Sequence, residues 1–221
     1  MLPQLRLLQL LSPVLPVGAY SYSQGLEWAV KEGWIKTLAD FDRWLGELID
    51  GPLMQQELPL LRKLYNACVD DDIERFDYWS HAAIAFRDTA ELRAEERSRA
   101  GAYLRIVNAL PLEIDERYRN GMQQTPLATL ALAAATWHID EASLLHAFAY
   151  NWLDAYIVNG VKIIPLGQSD GQELLHTKLS DLTEAVVESL EITTDTLGYS
   201  VPSVAMASCG HEVQYSRIYR S

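Results

Sequence analysis

The sequence predicts an all-α protein, and three observations predict it. Apolar residues recur at spacings of three and four along several stretches, as one face of a helix requires. No run alternates apolar and polar residues between hairpin turn signals. Apolar residues make up 49% of the 221 and charged residues 22%, a balance that supports a buried core and argues against disorder. One domain over residues 1–221, of about eight to ten helices, fits this length and periodicity.

At the N-terminus, Arg6 followed by Leu7–Val17 has the outline of a short signal peptide. Gln9, Pro13 and Pro16 interrupt its apolar run and Arg6 is its single positive charge, so a cleaved signal is not expected. A break at Pro13–Gly18 leads into Leu15–Val30 (LPVGAYSYSQGLEWAV), whose aromatic, polar and acidic residues suit neither a plain core helix nor a plain loop. After Gly33, the stripe Leu38, Phe41, Leu45, Leu48 and Ile49 predicts a helix behind Thr37 as N-cap, ending at Gly51-Pro52. Asp71 with Glu74 ahead of Phe76 and Trp79, and Asp88 with Glu91 ahead of Leu92, have capping-box spacing with Asp in place of Ser or Thr. Pro111–Gly121 is the next break. The longest apolar run, Leu127–Trp137, falls well short of the roughly 20 residues of a membrane span. Leu145, Phe148, Trp152, Ala155, Tyr156 and Asn159 form a second stripe, and Leu175, Leu179, Leu182, Val186 and Leu190 a third. Pro165–Gly171 separates them, and Lys162 lies near the end of the first, where a cation complements the helix dipole. Ile192–Val201 comes nearest to a strand and reads better as a loop, with a break over Thr193–Pro202.

A formal net charge of −12 leaves no electrostatic route to a phosphate backbone and repels anionic lipid, so neither nucleic acid nor membrane is an expected partner; basic surfaces are. Two cysteines, Cys68 and Cys209, make no disulfide framework and fit a reducing cytosol. There is no phosphate-binding glycine loop. Ser23-Gln24-Gly25 resembles part of a nucleophile elbow, but Ser21 stands where the first glycine belongs and no strand precedes it. The five histidines are scattered. Only Cys209-Gly210-His211-Glu212 gathers soft and borderline ligands, so Cys209 and His211 are candidates for a transition metal such as nickel; the alternative is an incidental cysteine in a helical tail.

Two further stretches each allow two readings. Glu91–Arg99 carries Glu95 and Arg99 four apart, with Arg87 and Glu91 likewise, which suits a solvated helix face or a surface that docks a charged partner. The C-terminal stretch 208–221 carries Tyr215, Arg217, Ile218, Tyr219 and Arg220, residue types typical of interface anchors. It either packs back on its own domain or serves as a docking tail.

Four blocks together resemble the UreF family of urease accessory proteins: Leu15–Val30 extending to Gly33-Trp34, Arg87–Arg97 (RDTAELRAEER), Gly160–Gln168 (GVKIIPLGQ) and His211–Ser221 (HEVQYSRIYRS). They lie in the family's order and span most of the chain. The resemblance implies an all-α, homodimeric, cytoplasmic protein with no reaction of its own and no firmly bound cofactor, nickel passing only transiently. It implies an adaptor linking the accessory protein UreD (UreH in some organisms) and the nickel-carrying GTPase UreG to apo-urease, and regulating GTP-dependent nickel insertion. Glu27 and Lys162 match family positions linked to GTPase control, and Tyr20, Ser21 and Gln24 share the first block with Glu27. In that role Lys162 supplies positive charge near phosphates, and Glu27 pairs with a basic residue of the GTPase. The tail over 203–221 is implied in docking the UreD-type partner through His211, Glu212, Gln214, Tyr215, Arg217, Arg220 and Ser221. Two departures stand out. Phe86 precedes the Arg87 block, where a small or polar residue is more usual. Gly210 stands where relatives often carry a basic residue, and it is expected to weaken the tail's helix.

Overall fold

The caps and apolar stripes become helices. The computed structural model describes residues 1–12 and 14–221; among these the chain forms eleven α-helices and no strand, the all-α class predicted. Pro13, part of the first predicted break and of the interrupted apolar run, lies outside the described residues.

Helix α1 (Leu2–Leu10) turns Leu7 and Leu10 inward and lays Arg6 over the Trp137 ring at 5.4 Å. A 3-10 turn, Ala19–Ser21, precedes α2 (Leu26–Lys31). Thr37 caps α3 (Leu38–Leu48) through a full capping box with Asp40. The predicted stop at Gly51-Pro52 does not occur. A π-helix, Ile49–Glu57, carries the winding straight into α4 (Leu58–Val69). Proline lacks an N–H and crowds the preceding turn of an α-helix; the wider π winding accommodates Pro52 within it.

The next two helices each start one residue later than their predicted boxes. Asp72 caps α5 (Ile73–Ala85) and Thr89 caps α6 (Ala90–Ala109). Asp71 instead takes a left-handed conformation (φ 52°), and its carboxylate accepts from Arg117 and Tyr118. The predicted break at Pro111–Gly121 contains a 3-10 turn, Glu116–Tyr118, and the short α7 (Arg119–Met122). Thr125 caps α8 (Pro126–Thr136), Asp140 caps α9 (Glu141–Ile163), and α10 (Gln168–Ser189) begins after Gly167 with Gly171 inside it. The loop predicted over 192–201 leads to α11 (Pro202–Glu212).

The core centres on α8, which is apolar on every side and buried almost throughout, as a central helix must be. It packs most extensively against α4, whose Leu60, Leu61 and Leu64 are fully buried, as are most of the α8 alanines. The α10 stripe is corrected in part: Leu175, Leu182 and Val186 are buried with Leu174 and Ala185, while Leu179 and Leu190 are exposed. A four-residue step overshoots one turn by about 40°, which carries those two leucines off the buried arc. Among the described residues no helix is long and apolar enough to cross a membrane.

Candidate functional site

The first and last sequence blocks meet. Helix α2 and helix α11 cross so closely that each uses a glycine at the contact. Gly25 has φ +86°, and a Cβ there would lie 2.8 Å from the Ser208 amide nitrogen. A Cβ at Gly210 would lie 2.2 Å from the Trp28 ring. The departure at Gly210 thus has a physical reason, because any side chain would strike the indole. Helix α11 runs through Gly210 to Glu212.

Beyond α11 the tail folds back over α2. Glu27, 8% exposed, receives the tail on both carboxylate oxygens. The Ile218 amide donates to Oε1 at 2.8 Å and the Tyr219 amide to Oε2 at 2.9 Å. Gln214 Nε2 donates to Oε1 at 3.3 Å, and His211 Nε2 lies 3.4 Å from Oε2. His211 is 0% exposed, and its Nδ1 lies 2.7 Å from Glu91 Oε2. Arg217 donates to the other oxygen of Glu91. A carboxylate taken out of water requires such donors, and those to a charged acceptor are the strong ones. Glu212 accepts from the Glu91 amide at 3.0 Å, placing an anion at the N-terminus of α6.

The last residues are tied to the turn ahead of α2. The Ser221 carbonyl accepts from the Ser23 amide (2.7 Å), the Gln24 amide (3.0 Å) and Ser23 Oγ (2.6 Å). The Arg220 amide donates to the Ser21 carbonyl at 2.9 Å. Ser221 Oγ donates to Glu95 Oε2 at 2.7 Å, and Tyr219 Oη donates to the Asn159 carbonyl at 2.9 Å. Burial, with the Glu27 charge beside it, pushes the Tyr219 hydroxyl up to about 12.

Behind this turn lies a polar interior. Gln24 donates to Glu95 Oε1 at 2.8 Å and accepts from the Tyr156 hydroxyl; Arg99 donates to the same Glu95 oxygen at 3.3 Å. Burial holds the Glu95 carboxyl above its usual range, against the opposing pull of Arg99, Ser221 and Gln24. Arg87 bridges the buried Glu57 and Glu96, and Thr125 donates to Glu96 at 2.5 Å. Burial alone would lower the Arg87 pKa, but its two carboxylates outweigh that and hold it well above the ordinary value. Two cavities of about 60 and 40 Å³ border these groups and share Gln24, Glu95, Trp152 and Tyr156. Each has room for a few waters, one of which takes about 10–15 Å³.

The charged run Glu91–Arg99 is therefore not simply a solvated face. Glu95 and Glu96 are buried, and Arg87 meets Glu57 and Glu96 rather than Glu91. The predicted site residues divide. Glu27, His211, Gln214 and Ser221 are buried, while Glu212, Tyr215, Arg217, Arg220 and Lys162 are exposed. Tyr20, Ser21 and Gln24 are half-buried. Lys162 sits 5.2 Å from the Tyr20 ring centre, and Tyr20 Oη lies 3.5 Å from Asp154 Oδ2. Burial, reinforced by Asp154, raises the Tyr20 pKa.

Cys209 is exposed, whereas both ring nitrogens of the enclosed His211 face carboxylates. Among the described residues no three His, Cys, Asp or Glu side chains group to hold a metal ion. Sequence reasoning missed Ser23 and Asn159 as tail contacts, and it missed Glu91 and Glu95 in this role. Glu91 and Glu95 stood inside a block already singled out, but nothing local marked which charges turn inward.

A family model for UreF matches residues 35–178. The chain is 42% identical over 222 residues to the urease accessory protein UreF of Alcanivorax borkumensis, covering 98% of this chain and 97% of that protein. It is 41% identical over 217 residues to the UreF of Pseudomonas entomophila (98% and 97% covered). To the UreF of Klebsiella pneumoniae subsp. pneumoniae it is 37% identical over 218 residues (99% and 97% covered).

Proposed function

Since this chain belongs to the UreF family of non-catalytic urease accessory proteins, we propose that it is the adaptor linking a UreD/UreH-type protein and a UreG-type GTPase to apo-urease. Nickel is the cargo of that assembly. The protein works as a homodimer in the cytoplasm, and it couples nickel release to the nucleotide state of the GTPase. Such coupling requires only that the adaptor bind one nucleotide state better than the other.

The observation that carries the proposal is the two-sided tail. Its inner side is bonded to α2 and α6, and its outer side presents Tyr215, Ile218 and Arg220. Tyrosine offers a large contact area at the cost of two rotatable bonds and arginine a planar fork of donors, which suits both as anchors for the UreD-type partner. On the other side of the turn, Lys162 and Tyr20 form an accessible cation-aromatic pair beside Asp154, suited to a GTPase surface.

Capture of each purified partner on immobilised full-length protein tests this. Replacing both Tyr215 and Arg220 by alanine weakens capture of the UreD-type partner by about 2 kcal/mol or more. Lys162→Ala weakens capture of the GTPase instead. Unchanged capture of both partners by these variants sinks the proposal. Single-turnover GTP hydrolysis with and without the protein then separates activation from gated assembly.

A further inference from the structure

We propose that Glu27 is the internal anchor of the tail, and that it governs partner capture through the tail without touching a partner itself. The inference rests on the adaptor reading above and deepens it. A carboxylate has about four acceptor positions. Four groups of the tail face those of Glu27: the Ile218 and Tyr219 amides, Gln214 Nε2 and His211 Nε2. The side chain is buried beneath them with three N–H donors already on its oxygens, which closes it to a basic residue of a partner. Lys162, by contrast, is exposed, with its ammonium 5.2 Å from the Tyr20 ring centre.

The anchor also reaches the turn that carries Tyr20. The two amides on Glu27 belong to adjacent residues, and the next two residues bond to the backbone of Ser21, Ser23 and Gln24. Seating Ile218 and Tyr219 therefore fixes the segment that in turn fixes residues 21–24. Losing the Glu27 charge frees both ends of this connection. Substitutions at Glu27 then disturb GTPase capture by letting the tail and the turn drift, with no contact to the GTPase removed.

Three full-length variants test this: Glu27→Gln, Ile218→Pro and the two combined. Proline at 218 deletes one amide donor and leaves the Glu27 side chain in place. Residue-resolved amide exchange is read on the protein alone, and capture of the GTPase and of the UreD-type partner on the same samples. In Glu27→Gln, exchange at Ile218 and Tyr219 accelerates by about 10- to 100-fold, the range for losing hydrogen bonds to a charged acceptor. Exchange in α4 and α8 does not change. Glu27→Gln and Ile218→Pro weaken GTPase capture by similar factors, and the double variant is within about twofold of either, as expected for two positions on one connection.

The inference is overturned if Ile218→Pro captures the GTPase like wild type while Glu27→Gln does not, or if the two losses multiply in full. Unaltered exchange at Ile218 and Tyr219 in Glu27→Gln overturns it without any partner present. Failure of the wild-type protein to capture either partner would instead overturn the adaptor reading.

Discussion

The α4–α8 core and the seam between α2, α6, α11 and the tail are both buried, and they are held in opposite ways. In the core, leucines of α4 lie against the alanine-rich α8, and contact is apolar and non-directional. In the seam, Glu27, Glu91 and Glu95 gather tail amides, an imidazole, a guanidinium and a hydroxyl at hydrogen-bonding distance. Apolar packing tolerates small shifts. A hydrogen-bonded seam is lost when its angles are lost, and water stands ready to replace it. The molecule thus sets a packed apolar core beside an element positioned by directional bonds.

The largest effect is expected at the buried ion pairs behind the seam. Arg87→Ala strands Glu57 and Glu96 without their shared cation and costs about 3–5 kcal/mol in urea unfolding. Leu61→Ala, at a fully buried core position, costs about 2–5 kcal/mol. Both lower the global transition. If Arg87→Ala leaves the urea midpoint at the wild-type value, the ionic network contributes nothing and the contrast fails.

A smaller and more local effect is expected at the helix crossing. Gly210→Ala drives a methyl into the Trp28 ring and costs about 1–3 kcal/mol. Amide exchange should accelerate in α11 and the tail while α4 and α8 stay protected. A uniform acceleration across the chain would mean that seam and core unfold as one unit.

The smallest effect is a pH dependence. Burial raises the Glu95 carboxyl in the folded chain, which therefore binds that proton more tightly than the unfolded chain does. The resulting stabilisation is full below the ordinary glutamate range and is lost as pH rises through the raised value. The exposed caps run the other way. Asp40 is held low by its bond to Thr37 and Asp115 by its bond to Arg117, so their contribution is present above the ordinary aspartate range and is lost as pH falls. Glu95→Gln should remove only the first component, which comparison of urea midpoints over about pH 4 to pH 7 would detect. An unchanged difference between the two profiles would exclude Glu95 as its source.

The two regions were unequally legible from the sequence. The core follows from periodicity: the stripe behind Thr37 became α3, and its cap formed as predicted. Caps slipped by a residue where a distant partner competed, as when Arg117 and Tyr118 claimed Asp71. In the seam, residue types were legible and orientation was not. Beyond Glu212 the tail has no helical period to say that Gln214 and Ser221 turn inward while Tyr215 and Arg220 turn outward. The burial of Glu96 depends on Arg87 and Thr125, and the need for glycine at 210 depends on Trp28. Tertiary folding alone brings those partners together.

The π-helix between α3 and α4 acts as a phase shifter. Each α-helical residue turns the winding by about 100°, and a π segment holds a residue more per turn than an α-helix would. Removing one residue from Ile49–Glu57 would let the backbone relax toward α winding and would rotate α4 against α3. Either Glu57 would swing away from Arg87 or the leucines of α4 would swing away from α8. Length in this nine-residue stretch is therefore under tighter constraint than composition, because a single deletion sets the ionic and the apolar halves of the molecule against each other.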